Sequence, residues 1–270
     1  MIEVTRRGFV AGAVAALGAG LAAARPGAAQ PASAGPPAAQ LIEDLVAANR
    51  ILVDQGVLDG YGHVSARHDR DPGRFLMSRS IAPELVTAAD VLEYDLDSEP
   101  VAAGGRTSYL ERFIHGAIYR VRPDVRAIVH SHSPAVVPFG VTGAPLRPLY
   151  HMSAFLSGGV PVWDIRAAAG GDTDMLVRTP ALGRALAQTL GARPVVLMRG
   201  HGVVVVGTSL PQAVFRSVYT ELNARLQSEA MALGAKVIYL DADEAKKSEE
   251  TNGALVSRSW ELWLRKVRDR

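Results

Sequence analysis

Apolar positions along this chain alternate between helical and strand-like spacing. From Gln40, the residues Leu41, Leu45, Ala48 and Leu52 recur every three or four positions, which predicts an amphipathic helix closed by Gly56. Two short strand-like runs follow, His63 to Arg67 and Arg74 to Ser78, around the turn-rich Asp69-Arg70-Asp71-Pro72-Gly73. Val91 to Leu96 reads as a further strand. Ser108-Tyr109-Leu110-Glu111 has the form of a capping box. It predicts a helix with Leu110, Phe113, Ile114, Ala117 and Ile118 as its apolar residues, stopped by Arg122-Pro123-Asp124.

The second half repeats the alternation. Strands are expected over Ala127 to Ser131, Val160 to Ile165, Pro194 to Met198 and Val203 to Val206, and a helix over Ala181 to Leu190. Ser209-Leu210-Pro211-Gln212 is a second capping box. It opens a long helix with Val214, Val218, Leu222, Leu226 and Ala230 as its core face and Gly234 past its end. Trp260 and Trp263 fall in a last helical segment whose polar tail predicts an exposed end. The pattern as a whole predicts an α/β fold, a central sheet covered by helices.

Residues 1–34 stand apart. Arg6-Arg7 precede a mildly apolar, Ala- and Gly-rich run from Val10 to Ala24. Ala32-Ser33-Ala34 offers a small-residue cleavage pattern, with Gly27-Ala28-Ala29 as a second. These features resemble a bacterial twin-arginine signal, so export to the periplasm is expected, with no membrane association after cleavage. That leaves 35–270 as the folded domain.

Composition narrows the chemistry. The 270 residues carry 29 Lys+Arg against 27 Asp+Glu, spread along the chain. A nucleic-acid partner needs a clustered basic face, so that class is set aside. Cysteine is absent. Disulfides, thiolate ligands and cysteine nucleophiles are therefore excluded, and any metal site must use His, Asp, Glu, water or backbone oxygen.

His130-Ser131-His132 is the first chemical signal. Residues two apart on a strand share a face, so both imidazoles project together. His201 lies between Gly200 and Gly202, which permit a sharp turn and a close approach; a hairpin turn that merely contains His reads the same way. Glu111 is explained by the capping box alone. It also stands four residues before His115, on one helix face, where a carboxylate near imidazoles serves as fourth ligand or proton carrier.

Together, Glu111-x3-His115, Arg122-Pro123-Asp124 leading into His130-Ser131-His132, and Arg199-Gly200-His201-Gly202 resemble the class II aldolase/adducin family over roughly 41–234. The resemblance implies a class II aldolase-like single domain with a mainly antiparallel sheet. It implies one divalent cation per chain, Zn2+ or Mn2+, on His130, His132 and His201, with Glu111 acting on protons and on the metal. It also implies a homotetramer. Sugar-phosphate aldolases of the family read phosphate through turns at which this chain departs: Gly62-His63-Val64-Ser65, Ser78-Arg79-Ser80 and Thr107-Ser108. Arginine and histidine there suggest a carboxylate partner, since guanidinium grips carboxylate bidentately.

The expected function is thus a metal-dependent carbon–carbon lyase resembling the aromatic decarboxylases of the family. Ser78, Arg79, Ser80, Thr107 and Ser108 are the expected substrate contacts, and Glu111, His115 or His63 the proton donor to a ring carbon. One rival is an aldolase on a non-phosphorylated hydroxy-carbonyl compound. The other is a non-catalytic periplasmic metal-binding or interaction module.

Overall fold

The computed structural model describes residues 32–268, so the leader expected over 1–34 lies almost entirely outside the described residues. Eight strands form one sheet: β1 His63–Arg67, β2 Arg74–Ser78, β3 Val91–Asp95, β4 Pro100–Val101, β5 Ala127–Ser131, β6 Val162–Trp163, β7 Val195–Met198 and β8 Gly202–Gly207. Their spatial order is β4-β3-β2-β1-β5-β8-β7-β6. Every neighbouring pair is antiparallel except β6 with β7. The expected sheet is therefore present. The run from Val160 to Ile165 yields only a two-residue edge strand.

The helices are α1 Ala39–Asp54, α2 Phe113–Val121, α3 Val137–Thr142, α4 Arg166–Ala169, α5 Pro180–Leu190, α6 Leu210–Ala232, α7 Ala242–Ala254 and α8 Val256–Arg268. Strand alternation divides the core in two. On one face Val64, Ala66, Ala127, Val129, Val203 and Val205 pack with residues of α1, α6 and α8. On the other, Ile128, Val204 and Val206 pack with Ile114, Ile118 and Leu186 of α2 and α5. His63, Ser65 and His130 share this second face by parity, so α2 covers polar side chains at one end of an apolar layer. None of the described helices is long and apolar enough to cross a membrane.

Three local expectations need correction. The Ser108–Glu111 capping box does not form: Ser108 Oγ accepts from the Tyr94 hydroxyl at 3.0 Å, and Glu111 sits in a 3-10 turn ahead of α2. The long helix does start at Ser209, whose Oγ accepts from Gln212 N–H, but the Gln212 side chain accepts from Thr208 instead of Ser209. Its core face keeps Val214 and Val218 buried and Leu222 packed at the margin, leaves Leu226 and Ala230 half-buried, and buries Thr220, Asn223, Ala224 and Gln227. Asn223 and Gln227 hold the backbone of Pro145, Arg147 and Leu149 through bonds of 2.8–3.0 Å. Satisfied polar groups of this kind bury without penalty, which a pattern of apolar residues alone does not register.

At the C-terminus, Trp260 and Trp263 are buried against the α1 and α6 layer, while the charged residues of α8 and Leu262 meet solvent.

Candidate metal centre

β5 lies between β1 and β8 at the middle of the sheet. It ends at Ser131, so His130 leaves its last turn of ladder and His132 follows just beyond. On one side, β1 sets His63 directly opposite His130. On the other, β8 pairs Ser131 with Val203, which brings the preceding turn over the strand end. In that turn the Met198 carbonyl accepts from His201 N–H at 3.0 Å, with Gly200 at φ +63°. Gly202 is required for a different reason: a Cβ there would lie 2.1 Å from the Ser131 carbonyl oxygen and 3.0 Å from His132 Cα. The two glycines seen in the sequence thus have separate tasks, one a turn and one a close approach.

The ligand atoms of Glu111, His130, His132 and His201 all lie within 4.8 Å of one another. His130 Nδ1–H donates to the Val203 carbonyl at 3.1 Å, and His201 Nδ1–H to the Met175 carbonyl at 3.0 Å. Each bond leaves a bare Nε2 aimed inward. His130 Nε2 is buried with no hydrogen-bond partner, and His201 Nε2 lies 3.0 Å from His132 Nε2. Glu111 Oε2 stands 3.4 Å from both His130 Nε2 and His201 Nε2, while its Oε1 accepts from Val177 N–H at 2.9 Å. Converging lone pairs and one carboxylate oxygen, those of His130, His201 and Glu111 oriented by a backbone group behind each, suit a divalent cation. Burial pushes the Glu111 carboxyl up, but His130 and His201 outweigh it and hold it below the ordinary carboxylate range. Burial lowers His132 to about 4, with His130 and His201 adding to the effect.

Beside this cluster is a cavity of about 520 Å³. Tyr61, Ile81, Ala82, Tyr109, Leu110 and Leu176 give it a mainly apolar wall, and His63, Ser80, Glu111 and His132 supply its polar groups. The sequence-derived candidates separate here. Glu111, His63 and Ser80 face the cavity. His115 is fully enclosed behind His63, its Nε2 2.6 Å from His63 Nδ1. Ser78 Oγ shares a 3.3 Å hydrogen bond with the Tyr109 hydroxyl. Arg79 lies outside the wall, its Nε on Asp90 at 2.6 Å, and Thr107 and Ser108 do not line the cavity either. Asp90 already meets the charge that was expected to anchor substrate.

Sequence reading missed Tyr109 and the backbone partners Met175, Val177 and Val203. Tyr109 adjoins the quoted Ser108 but carries no motif, and carbonyl partners leave no trace in side-chain spacing.

The family described as Class II Aldolase and Adducin N-terminal domain matches residues 43–228. The chain is 38% identical over 253 residues to decarboxylase tropJ of Talaromyces stipitatus, covering 86% of this chain and 95% of that relative. It is 30% identical over 243 residues to the 3,4-dihydroxyphthalate decarboxylase of Arthrobacter keyseri, covering 83% and 93%. Among solved structures, an aldolase II superfamily protein from Pseudomonas syringae matches with a TM-score of 0.73 at 24% identity, covering 87% of this chain and 94% of that one.

Proposed function

The chain belongs to the class II aldolase and adducin family, and from that premise we propose that it is a divalent-metal lyase that decarboxylates a small hydroxylated aromatic carboxylate. The observation that carries this reading is the four-ligand cluster set at the edge of a cavity with an apolar and aromatic wall. Its volume lies in the usual range for small-molecule sites, and apolar and aromatic walls suit a ring better than a sugar phosphate.

His130, His132 and His201 would hold the cation, with Glu111 Oε2 at the fourth position only until substrate enters, and a bound cation would supply Lewis acidity toward substrate oxygens. Tyr61, Ile81 and Leu176 would pack on the ring. His63 and Ser80 would meet its polar substituents. Glu111 Oε2 is the atom placed to move a proton. It accepts one from a phenolic hydroxyl, and returns it to the ring carbon as the bond to the departing carboxylate breaks. The carbon keeps the electron pair, carbon dioxide leaves, and the phenolate regains its proton from solvent.

Relatives named as decarboxylases favour carbon dioxide release over retro-aldol cleavage. The rival aldolase reading keeps the same cluster but requires an aldehyde product. A binding-only module would retain metal and turn over nothing. Carbon dioxide release from hydroxylated benzene and pyridine dicarboxylates, with zinc or manganese restored, tests the proposal; metal-loaded protein inactive on that whole panel would defeat it.

Assembly and location extend this reading. Tyr61 and Leu110, 70% and 52% exposed at the cavity, suit cover by a second copy in a homotetramer. The paired arginines at positions 6 and 7 support periplasmic export of the folded protein.

A further inference from the structure

Between β1 and α2 four polar side chains form one continuous chain of hydrogen bonds. His63 Nδ1 lies 2.6 Å from His115 Nε2, His115 Nδ1 lies 2.6 Å from Ser65 Oγ, and Ser65 Oγ lies 2.9 Å from the Tyr119 hydroxyl. Strand parity puts His63 and Ser65 on one face, and four-residue helical spacing puts His115 and Tyr119 opposite them. All four are at most 3% exposed.

Each link holds one hydrogen, so the chain has a direction. In one sense Tyr119 donates to Ser65, Ser65 donates to His115 Nδ1, and His115 Nε2–H donates to His63 Nδ1. In the opposite sense every link reverses, and the Tyr119 hydrogen must find another acceptor. Among the described residues Ser65 is the one hydrogen-bond partner of the Tyr119 hydroxyl. A buried donor left without an acceptor disfavours a state by roughly 5- to 150-fold in population. The first direction therefore dominates.

We infer that Tyr119, acting through Ser65 and His115, fixes His63 as the tautomer with its hydrogen on Nε2, so that His63 offers the cavity a donor and not a base. Its Nδ1 is occupied as an acceptor from His115, and Nε2 is its remaining polar atom on the cavity, where water or substrate can accept the hydrogen, so the penalty that falls on an enclosed Tyr119 hydrogen does not arise. Tyr119, Ser65 and His115 are positioning residues; His63 is the group that touches substrate. The inference rests on the decarboxylase reading only for what the donor meets, an oxyanion of an aromatic carboxylate. The hydrogen stays on Nε2 throughout, and Glu111 is left to carry the proton.

The test uses the zinc-loaded full chain labelled with 15N-histidine. Long-range 1H–15N correlation reports which nitrogen of each imidazole carries hydrogen, and His63→Gln identifies the His63 signals by their loss. The unaltered protein should show His63 protonated at Nε2 and bare at Nδ1. Ser65→Ala removes the hydroxyl that donates to His115 Nδ1 and cuts the link to Tyr119, so that nitrogen is unpartnered with or without its hydrogen; both tautomers should appear and kcat/KM should fall about tenfold at constant zinc content, one neutral hydrogen bond's worth. In His63→Gln the amide nitrogen replaces Nε2–H without the link to His115. Adding Ser65→Ala there should change kcat/KM by less than about twofold, because its effect runs through the imidazole already replaced and the two substitutions are coupled. Hydrogen on Nδ1 in the unaltered protein overturns the inference even if Ser65→Ala fails to fold. An equal loss from Ser65→Ala in both backgrounds also overturns it. The spectrum needs no substrate: the expected tautomer without carbon dioxide release would defeat the decarboxylase reading and leave this inference standing.

Discussion

His201 gives its Nδ1 hydrogen to the Met175 carbonyl at 3.0 Å, and that bond turns its Nε2 lone pair toward His132, 3.0 Å away. His130 is oriented the same way by Val203. Metal affinity is thereby written partly in the backbone of two distant segments, since outer partners of this kind fix ligand tautomers.

Purified protein should bind about one divalent ion per chain, as three imidazoles converge on one point. His130→Ala, His132→Ala and His201→Ala should each lose metal and activity together, read by elemental analysis and carbon dioxide release. Two variants with full occupancy would remove the site assignment.

Glu111→Gln keeps an oxygen for Val177 N–H but loses the charge facing His130 and His201. Turnover should fall by roughly 10²–10⁴, the usual contribution of a proton-transfer group. Retained turnover at full metal loading would exclude Glu111 as the proton carrier.

Acid should destabilise the metal-free protein. Burial, reinforced by His130, lowers His115 to about 3, and burial lowers His63 as well. Below the unfolded value near 6.5, the unfolded chain takes up protons that these buried imidazoles refuse, so stability falls as pH falls. Glu111, held low in the folded state, works in the same direction once pH drops below the ordinary carboxylate value. At pH 5 the His115 contribution alone is about 2 kcal/mol, fully buried and unscreened. Thermal melts between pH 7.5 and 5 measure this; a flat profile contradicts it.

Ser80 and Arg79 divide two accounts of substrate anchoring. Ser80 faces the cavity, whereas the Arg79 guanidinium is tied to Asp90. Ser80→Ala should raise KM several-fold, in line with the roughly 1 kcal/mol of one hydrogen bond, and Arg79→Lys should leave kcat/KM near that of the parent. A loss of tenfold or more in Arg79→Lys would show that Arg79 leaves Asp90 to grip the substrate carboxylate.

If the leader is removed, its cleavage point can be weighed. Ser33 Oγ and Ala34 N–H donate to Glu93, and Arg74 donates to the Ala32 carbonyl. Cleavage after Ala29 keeps these bonds and cleavage after Ala34 removes them, so mass spectrometry of exported protein should find the earlier start. Arg6→Lys with Arg7→Lys should leave unprocessed precursor, and undiminished export would exclude the twin-arginine route.

Most of the sheet and all four candidate ligands were readable in the sequence, for definite reasons. His130 and His132 announce themselves by strand parity, and His201 by the glycines beside it. Glu111 was ambiguous because the same S-x-x-E spacing describes a capping box, and only the third dimension shows its oxygens on Val177 and the imidazoles. Arg79 was read through its chemistry, but Asp90, eleven residues on, decides what that charge meets. Ser65 and Tyr119 carried a usable signal, each lying on the same face as a candidate histidine, yet neither residue type draws notice alone.

The position of β5 between β1 and β8 has a consequence for how the centre is filled. His201 reaches His130 only after β8 has paired with a strand some seventy residues earlier in the chain, and such long-range ladders close late in folding. Capture of the ion is thus the end point of assembly, not its seed. Sites built from nitrogen and oxygen take whichever divalent metal is offered more readily than they select one. If the chain folds before it is exported, the identity of the ion is a record of the compartment of its folding, and the place where it works has no vote.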